Sequence, residues 1–205
     1  MSAADARNPS DLQLDAFAID LRDLMDRSVA NLYSHLVTRP TGRAVRLAIE
    51  SQLRELSLPA VSLVDLSSVS ILDYSCADEV VAKLLLARRA RIRPHREVYF
   101  VFQGLRPHHR EPILEVLYRH GLAAVTRGGA PEEPAELLGV VSPEETASWE
   151  RLEALGQVRG DRIHEIFPRD GLQEALDELV ERGLAFRHPG RGDVHALSTL
   201  LQEKP

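Results

Sequence analysis

Short apolar runs recur along the first two thirds of the chain, with polar turns between them. Residues 61–64, 97–102 and 122–125 are rich in aliphatic, β-branched or aromatic side chains and have the length of buried strands. Residues 31–37 also have strand-like content. The apolar patch at 14–21 fits a strand or a short helix equally well. The pattern predicts strands that alternate with helices, with 122–125 as the last strand.

Amphipathic stretches lie between these runs. Thr41 and Gly42 open one of them, which carries apolar side chains along one side. Another spans Pro107–His120 and stops at Gly121. A third follows the run at 61–64 and has apolar residues at helical spacing: Val80, Val81, Leu84 and Leu85. Strands that alternate with helices in this way imply an α/β fold, with a mostly parallel sheet and crossover helices.

A stretch rich in glycine and proline divides the chain at residues 128–141 and predicts a linker. Residues 1–13 are polar and are predicted to be disordered. The remaining chain then forms two domains, at 14–127 and 142–205. The second domain opens on a strong helix start, because Ser142 can cap the helix, Pro143 suits its first position and Glu145 completes a capping box.

The C-terminal part has the pattern of three helices followed by a hairpin. One helix is predicted to start at Ser142, and a short helix is predicted over 161–167. A third is predicted from Pro168 or Asp170 to Gly183. Two strands then flank a loop of turn-forming residues. This order resembles a winged helix, and the sequence ALDELVERGLAFR at 175–187 is similar to the third helix and first wing strand of such domains. That resemblance implies an α+β domain whose third helix enters the major groove of DNA.

The charge of the predicted third helix argues against DNA as its target. Acidic side chains that face phosphates lose the attraction that supplies most non-specific DNA binding. Arg187 and Arg191 in the predicted wing are too few to offset this loss, and residues 143–205 hold 8 basic and 13 acidic side chains. We therefore expect a protein contact here, and a DNA-binding transcriptional regulator is the alternative. The polar side of the helix carries Gln173, Glu174, Asp177, Glu178 and Glu181.

The segment 61–89 carries the clearest chemical signal, at the start of its helix. Ser75 is predicted to be the N-cap of that helix, with Asp78 as its capping-box partner. Unpaired backbone N–H groups at such a position attract an anion. A phosphate on Ser75 would also be repelled by Asp73, Asp78 and Glu79. Ser75 is therefore either a helix cap alone or a helix cap and a regulatory phosphorylation site.

The sequence DLSSVSILDYSCADEVV at 65–81 resembles the signature of STAS domains. Asp65–Leu66–Ser67 matches the end of the family's strand, Asp73 matches the aspartate that follows, and Ser75 falls on the serine that is phosphorylated in anti-sigma factor antagonists. The resemblance implies a partner-binding surface around Asp73, Ser75 and Asp78, with an anti-sigma factor or serine kinase as partner. Three positions depart from the family pattern: Tyr74, Cys76 and Ala77. These three change the surface on which a partner would bind, although Tyr74 and Cys76 remain part of the predicted site.

A basic stretch follows the same helix. Cations near a helix C-terminus suit the helix dipole, which is the simpler explanation. The alternative is a patch for phosphate or an acidic partner. The candidate residues are Arg88, Arg89, Arg91, Arg93 and Arg96.

Other candidate chemistry is weaker. Cys76, the only cysteine, excludes an internal disulfide and is either a small buried residue or a redox-active thiol at a helix start. The histidines show no zinc-ligand spacing, so no metal is predicted. Thr41, Gly42 and Arg43 fit a helix cap better than a phosphate site, because no glycine-rich loop and lysine accompany them.

The whole chain predicts a two-domain cytosolic regulatory protein without a cofactor. The net charge of −6, the apolar content of 44% and the polar N-terminus fit a chain with a hydrophobic core and without a signal peptide or membrane span. No catalytic constellation can be argued from residue spacing, so an enzyme is not expected. The predicted activity is a protein-interaction switch at Ser75. The pattern leaves the oligomeric state open.

Overall fold

A mixed sheet forms the centre of this α/β protein. The computed structural model describes residues 15–20, 35–55, 59–92, 95–129, 133–168 and 171–201. Within these residues, the main sheet has five strands in the spatial order β1, β3, β5, β6, β7. The first four run parallel, and β7 runs antiparallel to β6. Their bounds are β1 Asp15–Asp20, β3 Ala60–Asp65, β5 Val98–Gln103, β6 Ala123–Arg127 and β7 Ala135–Gly139.

Three helical elements pack on one face of this sheet. Helix α1 spans Arg39–Leu53 and α4 spans Pro107–His120. Between them along the chain lies the element that we call the central helix, which consists of α2 (Tyr74–Ala77), a π-helical segment (Asp78–Ala82) and α3 (Lys83–Arg89). Aliphatic side chains from all three elements form one buried cluster with alternate residues of the strands: Val45, Ile49, Val80, Leu84, Ile113, Leu117, Val64, Phe100 and Phe102.

The predictions for this part of the chain are largely confirmed. The strands at 61–64 and 97–102 and the helix Pro107–His120 are present, and the patch at 14–21 forms a strand. Helix α1 begins two residues before Thr41, because the side chain of Thr38 accepts the backbone N–H of Thr41 and caps the helix. Of the predicted strand at 31–37, the described part holds only β2 (His35–Leu36), which pairs with β4 (Ile71–Leu72). The predicted disorder at 1–13 lies outside the described residues.

The predicted linker contains a strand of the main sheet. Residues Ala135–Gly139 form β7, which pairs with the whole of β6 in antiparallel register. The prediction that 122–125 is the last strand is therefore wrong, and so is the prediction of a linker for Ala135–Gly139. Only Leu138 of this strand is buried, and Ala135 and Leu137 on its other face are partly buried against the C-terminal part, which fits a strand at the edge of the sheet.

The C-terminal part begins with the predicted capping box. Ser142 and Glu145 exchange side-chain and backbone hydrogen bonds at the start of α5 (Pro143–Leu155). The chain continues through β8 (Gln157–Val158), a 3₁₀ turn (Gly160–Arg162), α6 (Ile163–Ile166), α7 (Leu172–Arg182), β9 (Ala185–Arg187), β10 (Val194–Ala196) and α8 (Leu197–Leu200). The predicted hairpin is confirmed, and β8 extends it to a three-stranded antiparallel sheet in the order β8, β10, β9.

The C-terminal part covers the second face of the main sheet. Val61, Val101 and Val125, which point away from the helices α1 and α4, share a buried cluster with Trp149 and Phe186 of the C-terminal part. The rings of Tyr99 and Phe186 meet edge to face, with centroids 5.4 Å apart. A parallel strand that is buried on both faces has a nearly continuous apolar sequence. The burial of both faces therefore explains the apolar runs at 61–64 and 97–102. None of the helices in the described residues has the length and apolarity that crossing a membrane requires.

Candidate functional site

The start of the central helix is capped by Asp73. Its carboxylate Oδ1 accepts the backbone N–H of Cys76 at 2.7 Å, and its backbone is extended, as an N-cap requires. Ser75 lies inside the first turn, where its hydroxyl donates to Asp73 Oδ1 at 2.9 Å. The prediction that Ser75 is the cap with Asp78 as its capping-box partner is therefore wrong. The aspartate and the serine are nevertheless in direct contact, and Ser75 is half-buried.

Exposed apolar residues lie at the junction between β2 and the start of the central helix. The backbone N–H of Asp73 donates to the carbonyl of Leu36 at 2.9 Å, which places the end of β2 beside the start of the central helix. Tyr74, Ile71 and Val37 lie at this junction and are between 42% and 47% exposed. We call the surface formed by Val37, Ile71, Asp73, Tyr74 and Ser75 the Ser75 face. Large apolar side chains left exposed together are typical of a surface that binds another protein.

Tyr74 and Cys76, the two neighbours of Ser75 in sequence, differ in exposure: Tyr74 is exposed and Cys76 is buried. The Tyr74 hydroxyl donates to Glu111 of α4 at 3.0 Å, and this hydrogen bond raises the pKa of Tyr74. The Cys76 side chain is fully buried, and its thiol donates to the carbonyl of Thr38 at 3.0 Å. Burial raises the pKa of the Cys76 thiol to about 12, so the thiolate needed for redox chemistry does not form near neutral pH. Cys76 is a small core residue and does not belong to the contact surface.

Asp78 links both neighbouring helices to the central helix. Its carboxylate accepts from Arg39 of α1 at 2.7 Å and lies 2.8 Å from the Nε2 of His120 in α4. Burial would raise the pKa of Asp78, but the hydrogen bonds from Arg39 and His120 outweigh burial and hold this pKa below its ordinary value. Asp78 therefore contributes to helix packing, as an anion with a fixed orientation.

Glu79 is a buried carboxylate beneath a cluster of cations. The residue is only 1% exposed, and its carboxylate contacts Arg39 at 3.2 Å, Arg46 at 3.1 Å and the ammonium group of Lys83. These contacts lower the pKa of Glu79 against the opposing effect of burial, which is the largest single influence on it. Sequence spacing offered one signal for this cluster, because Glu79 and Lys83 stand four residues apart on a helix. Arg39 and Arg46 come from a distant segment.

A groove with cationic walls lies between α1 and the central helix. It encloses a volume of about 580 Å³. Arg43, Arg39 and Lys83 are wholly or partly exposed in its walls, and the described residues offer Arg43 no ion-pair partner. We call this the basic groove, and its lining comprises Arg39, Pro40, Arg43, Ala44, Arg46, Leu47, Glu79 and Lys83. Its cations and its exposed Leu47 suit a ligand that carries both acidic and aliphatic groups.

The predicted basic patch is divided between two environments. Arg88 is 8% exposed, and its guanidinium lies 4.6 Å from the ring centroid of Tyr99, so it is not a surface cation. Arg89 donates to the carbonyls of His120 and Gly121, and Arg91 pairs with Glu181 at 3.0 Å. Arg93 and the side chain of Arg96 lie outside the described residues. The helix-dipole explanation fits Arg88 and Arg89, which occupy the last turn of α3.

The exposed face of α7 is acidic, as predicted. Glu174, Asp177, Glu178 and Glu181 are all exposed, and Arg187 of the predicted wing pairs with Asp177 at 2.5 Å. Gln173 is half-buried beside His164. Within the described ranges, no group of three or more histidine, cysteine, aspartate or glutamate side chains is placed to bind a metal ion.

Comparison with known proteins leaves the family open. No family model, no curated protein and no solved structure matches the chain. The likeness to STAS domains therefore rests on the residues at 65–81, and the likeness to winged helices rests on the order of helices and strands in the C-terminal part.

Proposed function

We propose that this protein is a non-catalytic regulatory module that binds another protein through the Ser75 face and releases it when Ser75 is phosphorylated. One observation carries the proposal. Ser75 is partly exposed, its hydroxyl contacts Asp73, and exposed apolar residues lie at the same junction. A partner that covers Tyr74 and Ile71 would bury Ser75, so the modification would act at the centre of the contact.

The order of elements supports the STAS-like interpretation, in which the protein is an anti-sigma factor antagonist or a similar signalling protein. Asp65 ends β3 and accepts the backbone N–H of Ser67 at 2.8 Å, which forms the turn that leads towards the central helix. Asp73 and Ser75 then stand at the start of that helix. An anti-sigma factor or serine kinase is the partner that this likeness suggests. The cations of the basic groove would favour a partner with acidic groups beside its apolar contact.

Phosphorylation would change the charge and the hydrogen bonding of this surface together. A phosphate adds about −1.5 to −2 charges at neutral pH. It would replace a hydroxyl that donates to Asp73 and would lie within one turn of Asp78 and Glu79. Arg39 is engaged by both of these carboxylates. The added charge would be costly to bury under a partner, so the modification would weaken the complex.

Replacement of Ser75 by aspartate is expected to weaken partner binding at least about tenfold, because a buried unpaired charge costs more than 1.4 kcal/mol. The partner would be captured with the full chain from its native cytosol, identified by mass spectrometry and titrated by calorimetry. Ser75→Ala should bind nearly as well as the wild type. Ser51→Asp adds the same charge at an exposed position of α1 and is the matched control. Equal affinity of the Ser75→Asp and Ser51→Asp proteins would refute the switch.

A DNA-binding regulator is the second candidate, and the C-terminal element order favours it. The succession α5, β8, α6, α7, β9, β10 is the order found in winged helices. The acidic face of α7 opposes it, since the side chains that would face phosphates are negatively charged.

We expect no salt-dependent binding of the full chain to mixed duplex DNA in a mobility-shift assay. The variant Glu174→Gln/Glu178→Gln removes two exposed charges from α7 and serves as the comparison. Tight binding by the wild type at low salt, falling steeply as salt is added, would favour the regulator over the interaction module.

A further inference from the structure

A second pocket lies where the end of the central helix meets α7. It encloses about 410 Å³. Its wall brings together the last turn of α3 with the last turn of α7, and it is separate from the Ser75 face and the basic groove. Four of its six lining residues are arginines. The complete lining is Arg88, Arg89, Arg91, Val180, Glu181 and Arg182.

Arg88 is a buried cation without an anionic partner in the described part of the chain. Its Nη1 donates to the backbone carbonyl of Glu181 at 3.1 Å, and its guanidinium stacks on Tyr99. Its Nε is buried beside Gly183 and has no hydrogen-bond partner among the described residues. Burial lowers the pKa of Arg88, and the nearby charge of Arg91 acts in the same direction. Buried charges in proteins are ordinarily paired, because an unpaired one is costly to remove from water.

The other charges of the pocket do not compensate Arg88. Glu181, the carboxylate in the wall, is directed to Arg91. Arg182 is directed to Glu145 and to the carbonyl of Val140. In the part of the chain that the structure describes, the partners of Arg89 are the carbonyl oxygens of His120 and Gly121. Arg88 and Arg89 therefore give the pocket an excess of positive charge that no carboxylate of the described residues balances.

The fold also reserves space for this guanidinium. Helix α7 ends at Gly183, and a Cβ built on this glycine would lie 2.1 Å from the Cζ of Arg88. A side chain of any kind at position 183 would displace Arg88 from the pocket. The excess positive charge of the wall and the open volume of the pocket together suit an anion.

We propose that this pocket binds the phosphate group of a small anionic ligand, with Arg88 and Arg89 as the binding side chains. Guanidinium groups bind the oxygens of phosphate in forked, charge-assisted geometry, and the 410 Å³ pocket leaves room for a small organic group attached to the phosphate. Because the wall comes from both the central helix and α7, the ligand would hold the two parts of the protein together. The site does not depend on the Ser75 switch.

Inorganic phosphate is the probe for this site, with potassium chloride at matched ionic strength as the reference. We expect phosphate to raise the Tm of the full chain in a saturable manner. Arg88→Met should lose this rise altogether. In buffer without phosphate, the Tm of Arg88→Met should equal or exceed that of the wild type, because an apolar side chain replaces an uncompensated charge.

Two further variants keep the result clear if Arg88→Met folds poorly. Arg89→Gln changes an exposed residue and should weaken phosphate binding about tenfold in a calorimetric titration, which is the loss of one charged hydrogen bond. Arg43→Gln removes the same charge from the basic groove and should bind phosphate as the wild type does. An equal response of the wild type, Arg88→Met and Arg89→Gln would overturn the site. So would a response that only Arg43→Gln abolishes.

Discussion

Replacement of Glu79 by glutamine is expected to destabilise the protein by about 3 kcal/mol, the range in which removal of one partner from a buried ion pair falls. Glutamine keeps the size and shape of the side chain but leaves Arg39, Arg46 and Lys83 close together without the carboxylate between them. Arg39 keeps its ion pair with Asp78, Arg46 keeps Glu50, and the cations retain some contact with water, so the loss should lie at the lower end of that range. The Tm should fall by roughly 6 to 12 °C in a chain of this size.

The matched control is Glu178→Gln, which removes the same charge from an exposed position of α7. It should change the free energy of unfolding by less than about 0.5 kcal/mol. The two variants are compared by urea denaturation at neutral pH. If both lower the stability equally, the buried cluster contributes no more than an ordinary surface charge.

The pH dependence of stability, measured for the wild type, Glu79→Gln and Glu178→Gln, gives an independent check on Glu79. The pKa of Glu79 is lower in the folded state than in the unfolded chain. Its contribution to stability is therefore fully present above the unfolded pKa and is lost as the pH falls through the lowered folded pKa. The difference in stability between the wild type and Glu79→Gln should thus shrink on acidification, whereas the small effect of Glu178→Gln should stay small.

Much of the fold follows from local sequence because its strands and helices are long and strongly patterned. The parallel strands β3 and β5 are buried on both faces and appear as unbroken apolar runs. Helix α4 begins at Pro107 and ends before Gly121, and a proline at the first position and a glycine just past the end are typical of helices. Strand β7 escaped the prediction because it is a short edge strand with one buried residue between glycine- and proline-rich segments. Such a strand is defined by its pairing with β6, which the local sequence does not reveal.

The sequence predicts a helix start at Asp73 and Ser75, which the structure confirms, but it predicts the wrong one of the two as the cap. Asp73 and Ser75 are both good N-cap residues and stand two positions apart, so sequence alone does not decide between them. The structure decides for Asp73, because its carboxylate reaches the N–H of Cys76. The Ser75 hydroxyl remains available to a kinase in the proposed switch, since it is not needed as the acceptor that caps the helix.

The burial of Arg88, at the end of the central helix, could not be predicted from the local sequence. The sequence shows a row of like charges, and a row of this kind is usually a solvated helix end. Arg88 is buried only because the backbone of Glu181, 93 residues further along the chain, and the ring of Tyr99 enclose it. Burial that depends on so distant a contact leaves no local pattern. The proposed phosphate site therefore follows only from the fold, which brings these two parts of the chain together.

Replacement of Gly183 by alanine tests the contact between Arg88 and the end of α7. It should lower the free energy of unfolding by about 3 kcal/mol, because backbone strain and overpacking act together. Gly183 has a φ of 78°, in the left-handed region, and its N–H closes the end of α7. Its new Cβ would also lie 2.1 Å from the Cζ of Arg88, so the guanidinium would have to move and lose its contacts with the Glu181 carbonyl and the Tyr99 ring. Phosphate should no longer raise the Tm of this variant, because the anion-binding side chain is displaced.

Gly121→Ala supplies the matched control within the same protein. Gly121 ends α4 with a φ of 60°, and a Cβ there would meet nothing within 4 Å. This variant should lose only the backbone contribution of about 1 kcal/mol. The double variant Arg88→Met/Gly183→Ala should recover most of the difference between the two glycine variants, because the flexible methionine can yield to the new methyl group. Equal losses in Gly183→Ala and Gly121→Ala would mean that Arg88 does not occupy the space beside Gly183, and the phosphate site would lose its geometric basis.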